Sequence, residues 1–274
     1  MRRGELALLA VTFIWGTSFP VMKVSVASVP PVLFMTYRFF VATLIMLLFY
    51  RRAVLRRDTL FKGFLLALTL SSGNGLQIVG LKYTTAADSA FITSLYVVFT
   101  PFLAYILMRK RVGKRDVVSL GAAVMGLYLI SGATPSMNYG NLLTVLCAIS
   151  FAFQIVLIQI YSDVDYLSLS FWQISWSLVL FAAYDVLAGY TFTGMTWETW
   201  LAALYLGIFA TFVAFTVQVR YQRETEPHKA AIIYSLEAVF ATVLSFVFLG
   251  ERFTPIEYVG AFLILLGVWN ELRG

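Results

Sequence analysis

Within the long apolar runs of this chain, only a few side chains could do chemistry. Glu237 is a carboxylate near the middle of such a run, and Arg38 is the one basic residue inside one. Around them, amides, hydroxyls and aromatic rings recur at helical spacing. Trp15 and Ser18 share one face, as do Asn74 and Gln77, and Phe151 and Gln154. Ser89, Thr93, Tyr96 and Thr100 follow at spacings of three and four. Phe215 and Gln218 with Thr211 one turn earlier, Tyr234 with Glu237, and Trp176 complete the set. Amides and hydroxyls bond carboxylates and ammonium groups, and aromatic faces accept cations or apolar side chains. The expected result is one central cavity lined by Trp15, Ser18, Asn74, Gln77, Thr93, Tyr96, Phe151, Gln154, Trp176, Gln218, Tyr234 and Glu237. The bland account is that Ser, Thr, Asn and Gln tie helices together, and for a lone Ser or Thr it is the default. Glu237 reads as an ammonium partner or proton carrier, with an ion pair to Arg38 as its structural alternative. Arg38 itself reads as structural or coupling. His228, the sole histidine, reads as a solvated loop residue.

The elements that carry these residues are membrane helices. Hydrophobic residues make up 60% of the chain and charged residues 12%, against about half and a quarter in soluble domains. Such a chain cannot cover a globule with polar surface, so its solvent is lipid. Ten spans are expected, near 5–24, 31–50, 60–81, 87–108, 115–132, 139–160, 166–187, 197–219, 227–249 and 255–272. Turn signals separate several of them: Val29-Pro30-Pro31, Gly132-Ala133-Thr134-Pro135, Gly250 and Thr254-Pro255. Pro20 and Pro101 fall inside spans and should kink them. The single Cys147 excludes an intrachain disulfide. The net charge of +6 does not point to nucleic acid, because the basic residues sit at the ends of apolar runs.

The chain also repeats itself. Displaced by 141 positions, Thr84 to Gly126 falls on Thr225 to Gly267, matching Ala90, Ile92, Ser94, Leu95, Val98, Phe99 and Gly126 with Ala231, Ile233, Ser235, Leu236, Val239, Phe240 and Gly267. Gln77 meets Gln218 in the same register, and a weaker match at 136 sets Gly4 to Lys23 over Gly140 to Gln159. With the N-terminus inside, sixteen Lys and Arg fall in inner segments and three, Lys23, Lys82 and Arg252, fall outside. In the inner segment around 161–165, Asp163 and Asp165 have no basic neighbour in sequence. Five spans separate the copies, so the second enters from the opposite face. The expected fold is an all-α membrane protein of ten transmembrane helices, two inverted-topology five-helix repeats (1–135 and 136–274), with both termini cytoplasmic. Such symmetry supports two conformations open to opposite sides of a midplane site.

Several short stretches carry a family resemblance. Trp15-Gly16-Thr17-Ser18-Phe19 with Lys23, Pro31 followed by Arg38, Tyr83-Thr84-Thr85-Ala86 leading to Pro101, and Leu249-Gly250-Glu251-Arg252-Phe253-Thr254 with Gly260 and Gly267 together resemble the drug/metabolite transporter superfamily, in its EamA-type branch. The resemblance implies ten helices in two inverted halves and the movement of small metabolites, often amino acids leaving the cell. Two departures stand out: Lys110 where the first repeat often has Glu, and Phe151-Ala152 in place of a second Trp-Gly pair.

The leading expectation is a secondary transporter in the inner (plasma) membrane, moving amino acids or related amphipathic solutes by alternating access, in the direction of export. Its partners are a small solute, the bilayer and, as a candidate coupling ion, the proton; it acts as a monomer or homodimer and needs no cofactor or metal. A membrane-embedded enzyme would need a nucleophile with a base, a metal site or clustered acids, and one His and one Cys supply no dyad. No phosphate-binding Gly-rich loop suggests ATP-driven pumping. A structural or regulatory subunit would instead have a sealed apolar core.

Overall fold

The computed structural model describes residues 3–50, 56–130, 138–190, 195–250 and 254–273. Among these residues the chain is helical throughout, without strands. The helices are α1 (Arg3–Ser25), α2 (Pro31–Phe49), α3 (Leu60–Leu81), α4 (Ala86–Thr93), α5 (Tyr96–Met108), α6 (Lys114–Ile130), α7 (Tyr139–Ile160), α8 (Tyr166–Leu187), α9 (Trp197–Tyr205), α10 (Ala214–Tyr221), α11 (Pro227–Tyr234), α12 (Leu236–Leu249) and α13 (Pro255–Leu272). Leu206–Val213 joins α9 to α10 as a π-helical segment. Nine helical stretches among the described residues are long and apolar enough to cross a membrane; α6, at 17 residues, is shorter. Arg2, Arg51, Arg52, Arg252, the turn Gly132 to Pro135 and Glu251 to Phe253 lie outside the described residues.

Caps and prolines start the helices where the sequence changes character. Pro31 opens α2 and Pro227 opens α11, where a missing N–H costs nothing. The side chains of Thr85, Asn138, Asp165 and Thr196 accept from backbone N–H groups three residues on. Large apolar side chains such as Phe40, Phe61, Phe102, Val118, Phe248 and Phe262 are exposed around the outside, which suits a lipid surround and no aqueous one.

Two expected spans are broken. The run 86–108 interrupts at Ser94–Leu95, between α4 and α5, and the run 227–249 interrupts at Ser235, between α11 and α12. In both, the backbone tightens: Leu95 N–H bonds the Ile92 carbonyl at 3.1 Å and Ala238 N–H bonds that of Ser235 at 3.2 Å. Ser94 and Ser235 are copies under the shift of 141. Pro101, where the sequence predicts a kink, sits within continuous α5, and Pro20 within continuous α1.

The packing of α6 on α13 fixes their relative direction. A methyl on Gly126 would lie 2.5 Å from the Gly260 carbonyl oxygen, and one on Gly267 2.8 Å from the Ser119 carbonyl oxygen. Rising numbers on α6 thus meet falling numbers on α13, so the two run antiparallel. The pairs Lys110–Glu226 (3.9 Å) and Ser94–Glu237 (3.4 Å) show the same for α4–α5 against α11–α12.

One end of the bundle gathers the ion pairs: Lys62–Asp163 (3.3 Å), Lys110–Glu226, Lys229–Glu271 (3.5 Å) and His228–Asp116 (3.1 Å). Two expectations change here. Asp163 does have a basic partner, Lys62, brought from a distant helix. His228 is not solvated; it is 2% exposed, because α11 presses it against the N-terminal turn of α6. At the other end, Lys23 Nζ donates to the Leu81 and Thr84 carbonyls at 2.8 and 2.6 Å.

Candidate functional site

The apolar interior divides into two cores. One joins α1, α2, α3, α8 and the π-helical segment; the other joins α4 to α7 with α11 to α13. Trp15 and Phe151 pack against both. At this seam a cavity is lined by Trp15, Ser18, Phe19, Arg38, Asn74, Gln77, Tyr96, Phe151, Gln154, Ile155, Phe215, Gln218, Tyr234 and Glu237. The structure therefore gathers ten of the twelve residues named from the sequence around one space, and adds Arg38.

Thr93 and Trp176 lie off the cavity. The break at Ser94–Leu95 resets the helical register, so Thr93 and Tyr96 do not share a continuous face. Thr93 accepts from Gln77 Nε2 at 3.1 Å and approaches Cys147 Sγ at 3.9 Å. Trp176 stands edge-on to Phe64, 5.4 Å between centroids, where α8 packs on α3.

The aromatic wall is built around Trp15. Its ring lies 5.3 Å from Tyr234 and 5.5 Å from Phe215, and its Nε1 donates to the Ala210 carbonyl at 3.2 Å. Ala210 belongs to the π-helical segment, where wider winding frees carbonyls for outside donors. The same oxygen accepts from Arg38 Nη2 at 3.3 Å, and Arg38 Nε donates to Thr211 Oγ1 at 2.6 Å. Arg38 does not pair with Glu237. The Glu237 carboxyl accepts from Ser94 Oγ at 3.4 Å.

Gln222 anchors the polar wall. It accepts from Gln218 Nε2 (3.1 Å) and Tyr234 Oη (3.2 Å), and donates to the Ile155 carbonyl at 2.6 Å. The sequence pattern does not single out Gln222 or Ser94. The spacing Gln218–Gln222 is the signal it offers, but the expected span ends at 219. Asp185 escapes it too: this residue is fully buried and accepts from Thr36.

Two buried polar groups on the cavity make no hydrogen bond among the described residues: Gln154 Nε2 and Gln218 Oε1. Buried polar groups are rarely left so, and here a donor and an acceptor front one space, beside a Tyr96 hydroxyl that is directed at the Glu237 carboxyl. The free volume, as room for water centres, is about 40 Å³, where one water needs roughly 10–15 Å³. The cavity is contracted. Larger spaces lie toward the ends: a polar depression of about 340 Å³ at the ion-paired end, reaching Ile233 beside Tyr234, and an apolar crevice of about 840 Å³ between α1, α9 and α12. Neither holds the clustered amides.

A bundle with an apolar exterior and a polar, partly unsatisfied cavity at its centre defines a multi-pass membrane protein. The model of the EamA-like transporter family matches this chain twice, over residues 2–132 and 138–270. The chain belongs to that family. It is 39% identical to an uncharacterized transporter of Archaeoglobus fulgidus over 268 residues, covering 97% of this chain and 84% of that protein. It is 26% identical to a probable amino-acid metabolite efflux pump of Salmonella typhimurium over 289 residues, covering 99% and 95%. A protein of known crystal structure, 17% identical, superposes with a TM-score of 0.81 over 97% of this chain and 95% of that one, a likeness of fold.

Proposed function

We propose that this protein is a secondary transporter of amino acids or related amphipathic solutes, exporting them across the cell's inner membrane by alternating access. The observation that carries the reading is the small central cavity lined by amides and aromatic rings, with Gln154 Nε2 and Gln218 Oε1 left unpartnered. A structural subunit gains nothing from such a cavity. Nor does the arrangement favour an enzyme: Cys147 is buried beside Thr93, while His228 is engaged by Asp116 at the ion-paired end.

The fold proposed is ten helices, with α6 as the fifth, in two inverted halves, 1–135 and 136–274, with both termini cytoplasmic. Packing supports it. Gly126 meets Gly260, and their copies under the shift of 141 are Gly267 and Ser119, which also meet. Gly80 meets Gly140; the copies, Tyr221 at 141 and Gly4 at 136, approach each other at the opposite end. Contacts that recur with partners exchanged are the signature of a two-fold axis. The axis lies in the membrane plane because α6 and α13 run antiparallel. Two halves so related have two near-equivalent arrangements about a fixed site. The excess of Lys and Arg in the segments assigned to the ion-paired end supports an inner position for that end.

Purified protein in liposomes should carry at least one labelled amino acid from a panel faster than protein-free vesicles, and a pH gradient should alter the rate if protons are coupled. Equal leakage with and without protein, for every solute, would remove the transport reading.

A further inference from the structure

Arg38 is 2% exposed, yet no carboxylate forms an ion pair with it among the described residues. A guanidinium has five N–H donors. Here one reaches Thr211 Oγ1 and one the Ala210 carbonyl, which Trp15 already uses. Nη1 finds only sulfur, Met22 Sδ at 3.6 Å and Met35 Sδ at 4.0 Å. These neutral groups hold the side chain without cancelling its charge. A buried, uncancelled charge is costly, and nature ordinarily pairs it.

Glu237 sits in the complementary condition. It is 4% exposed and lines the same cavity, with Ser94 Oγ as donor to its carboxyl. Were the two charges present only to neutralise each other, they would be in contact. They are instead held by separate walls, Arg38 by the π-helical segment and Glu237 by Ser94 at the break between α4 and α5. The apolar faces of Trp15, Phe151 and Phe215 line the same cavity.

From this arrangement we infer that Arg38 is the seat of the solute's anionic group, so that the ligand is a zwitterion bound with its carboxylate at Arg38, its ammonium at Glu237 and its apolar part on the aromatic wall. The inference rests on the transport reading for its purpose, though not for its geometry. It also sets the direction in which the solute lies. Arg38 is about 10 Å along α2 from Pro31, and Glu237 about 15 Å along the α11–α12 run from Pro227, at 1.5 Å per residue. The carboxylate therefore points toward the end that carries Lys23, away from the ion-paired end.

The test is binding, read as thermal stabilisation of the purified protein by each of the twenty common amino acids and by the corresponding C-terminal amides, which keep the ammonium and lose the carboxylate. At least one amino acid should stabilise the protein, with its amide weaker by roughly tenfold to hundredfold, the worth of a charge-assisted hydrogen bond. In Arg38→Gln, acid and amide should become equal; Arg38→Lys should restore part of the difference. Amides that match their acids in the unaltered protein overturn the inference without recourse to any variant, as does stabilisation by none of the amino acids. The same panel in liposome flux separates the two readings. Acid-selective binding without flux would remove transport and keep the seat; flux indifferent to the carboxylate would remove the seat and keep transport.

Discussion

The α6–α13 interface and the central cavity are both made of matching positions from the two halves, and they treat the match in opposite ways. At the interface the closest contacts stay alike: Gly126 and its copy Gly267 both bring backbone against backbone, although their partners Gly260 and Ser119 differ. In the cavity they diverge. At the shift of 141 Tyr96 corresponds to Glu237 and Asn74 to Phe215, although Gln77 and Gln218 stay alike. Under the proposed alternating access, packing would need the two-fold, because either half would have to fit the other in both arrangements. The proposed zwitterion would need it broken, since a symmetric site could not tell carboxylate from ammonium.

The largest expected effect tests the broken symmetry. Glu237→Gln should lower the initial flux by about tenfold to hundredfold, the scale of one charged contact, whereas Tyr96→Phe should cost a few-fold. Rates measured in proteoliposomes across a pH range decide it; a Glu237→Gln protein with unchanged rate and pH profile removes Glu237 from the mechanism.

Next comes the preserved symmetry. Gly126→Leu and Gly267→Leu should each destabilise the protein by about 1–3 kcal/mol, and by similar amounts. Thermal unfolding in detergent measures both. A large effect from one and none from the other would mean the two contacts are not equivalent.

A finer contrast lies between Gln77 and Gln218, aligned copies. Both donate from Nε2, Gln77 to Thr93 off the cavity and Gln218 to Gln222, but Gln218 also presents a buried Oε1 without a partner. Gln218→Leu should therefore raise KM several-fold, near 1 kcal/mol, and Gln77→Leu should chiefly lower thermal stability. Similar KM changes in both would erase the distinction.

The smallest effect belongs to His228. Its contacts to Asp116 and Glu226 (3.4 Å) tie helix ends together away from the cavity. His228→Gln should cost about 1 kcal/mol of stability and leave KM alone. A raised KM would extend the functional region to the ion-paired end.

Much of this architecture is legible in the amino-acid sequence. Spans can be read because hydrocarbon demands an apolar run of fixed length, and Trp15, Gln77, Gln154 and Glu237 stand out because polar groups are scarce in such runs. The breaks at Ser94 and Ser235 are not legible: both lie in unbroken apolar text without Gly or Pro, and local preference favours helix there. The misplacement of Thr93 follows from that, since a face drawn at 3.6 residues per turn fails past a break.

A lipid surround, the approximate crossings and an internal match at 141 positions follow from the order of amino acids, because composition and register are properties of the chain alone. Which polar side chains share a space, that Arg38 rests on Ala210 and Thr211 and not on Glu237, and that His228 is buried follow from packing. Those facts depend on helices distant in sequence meeting at particular heights, and on a π-helical turn that presents one carbonyl to two donors.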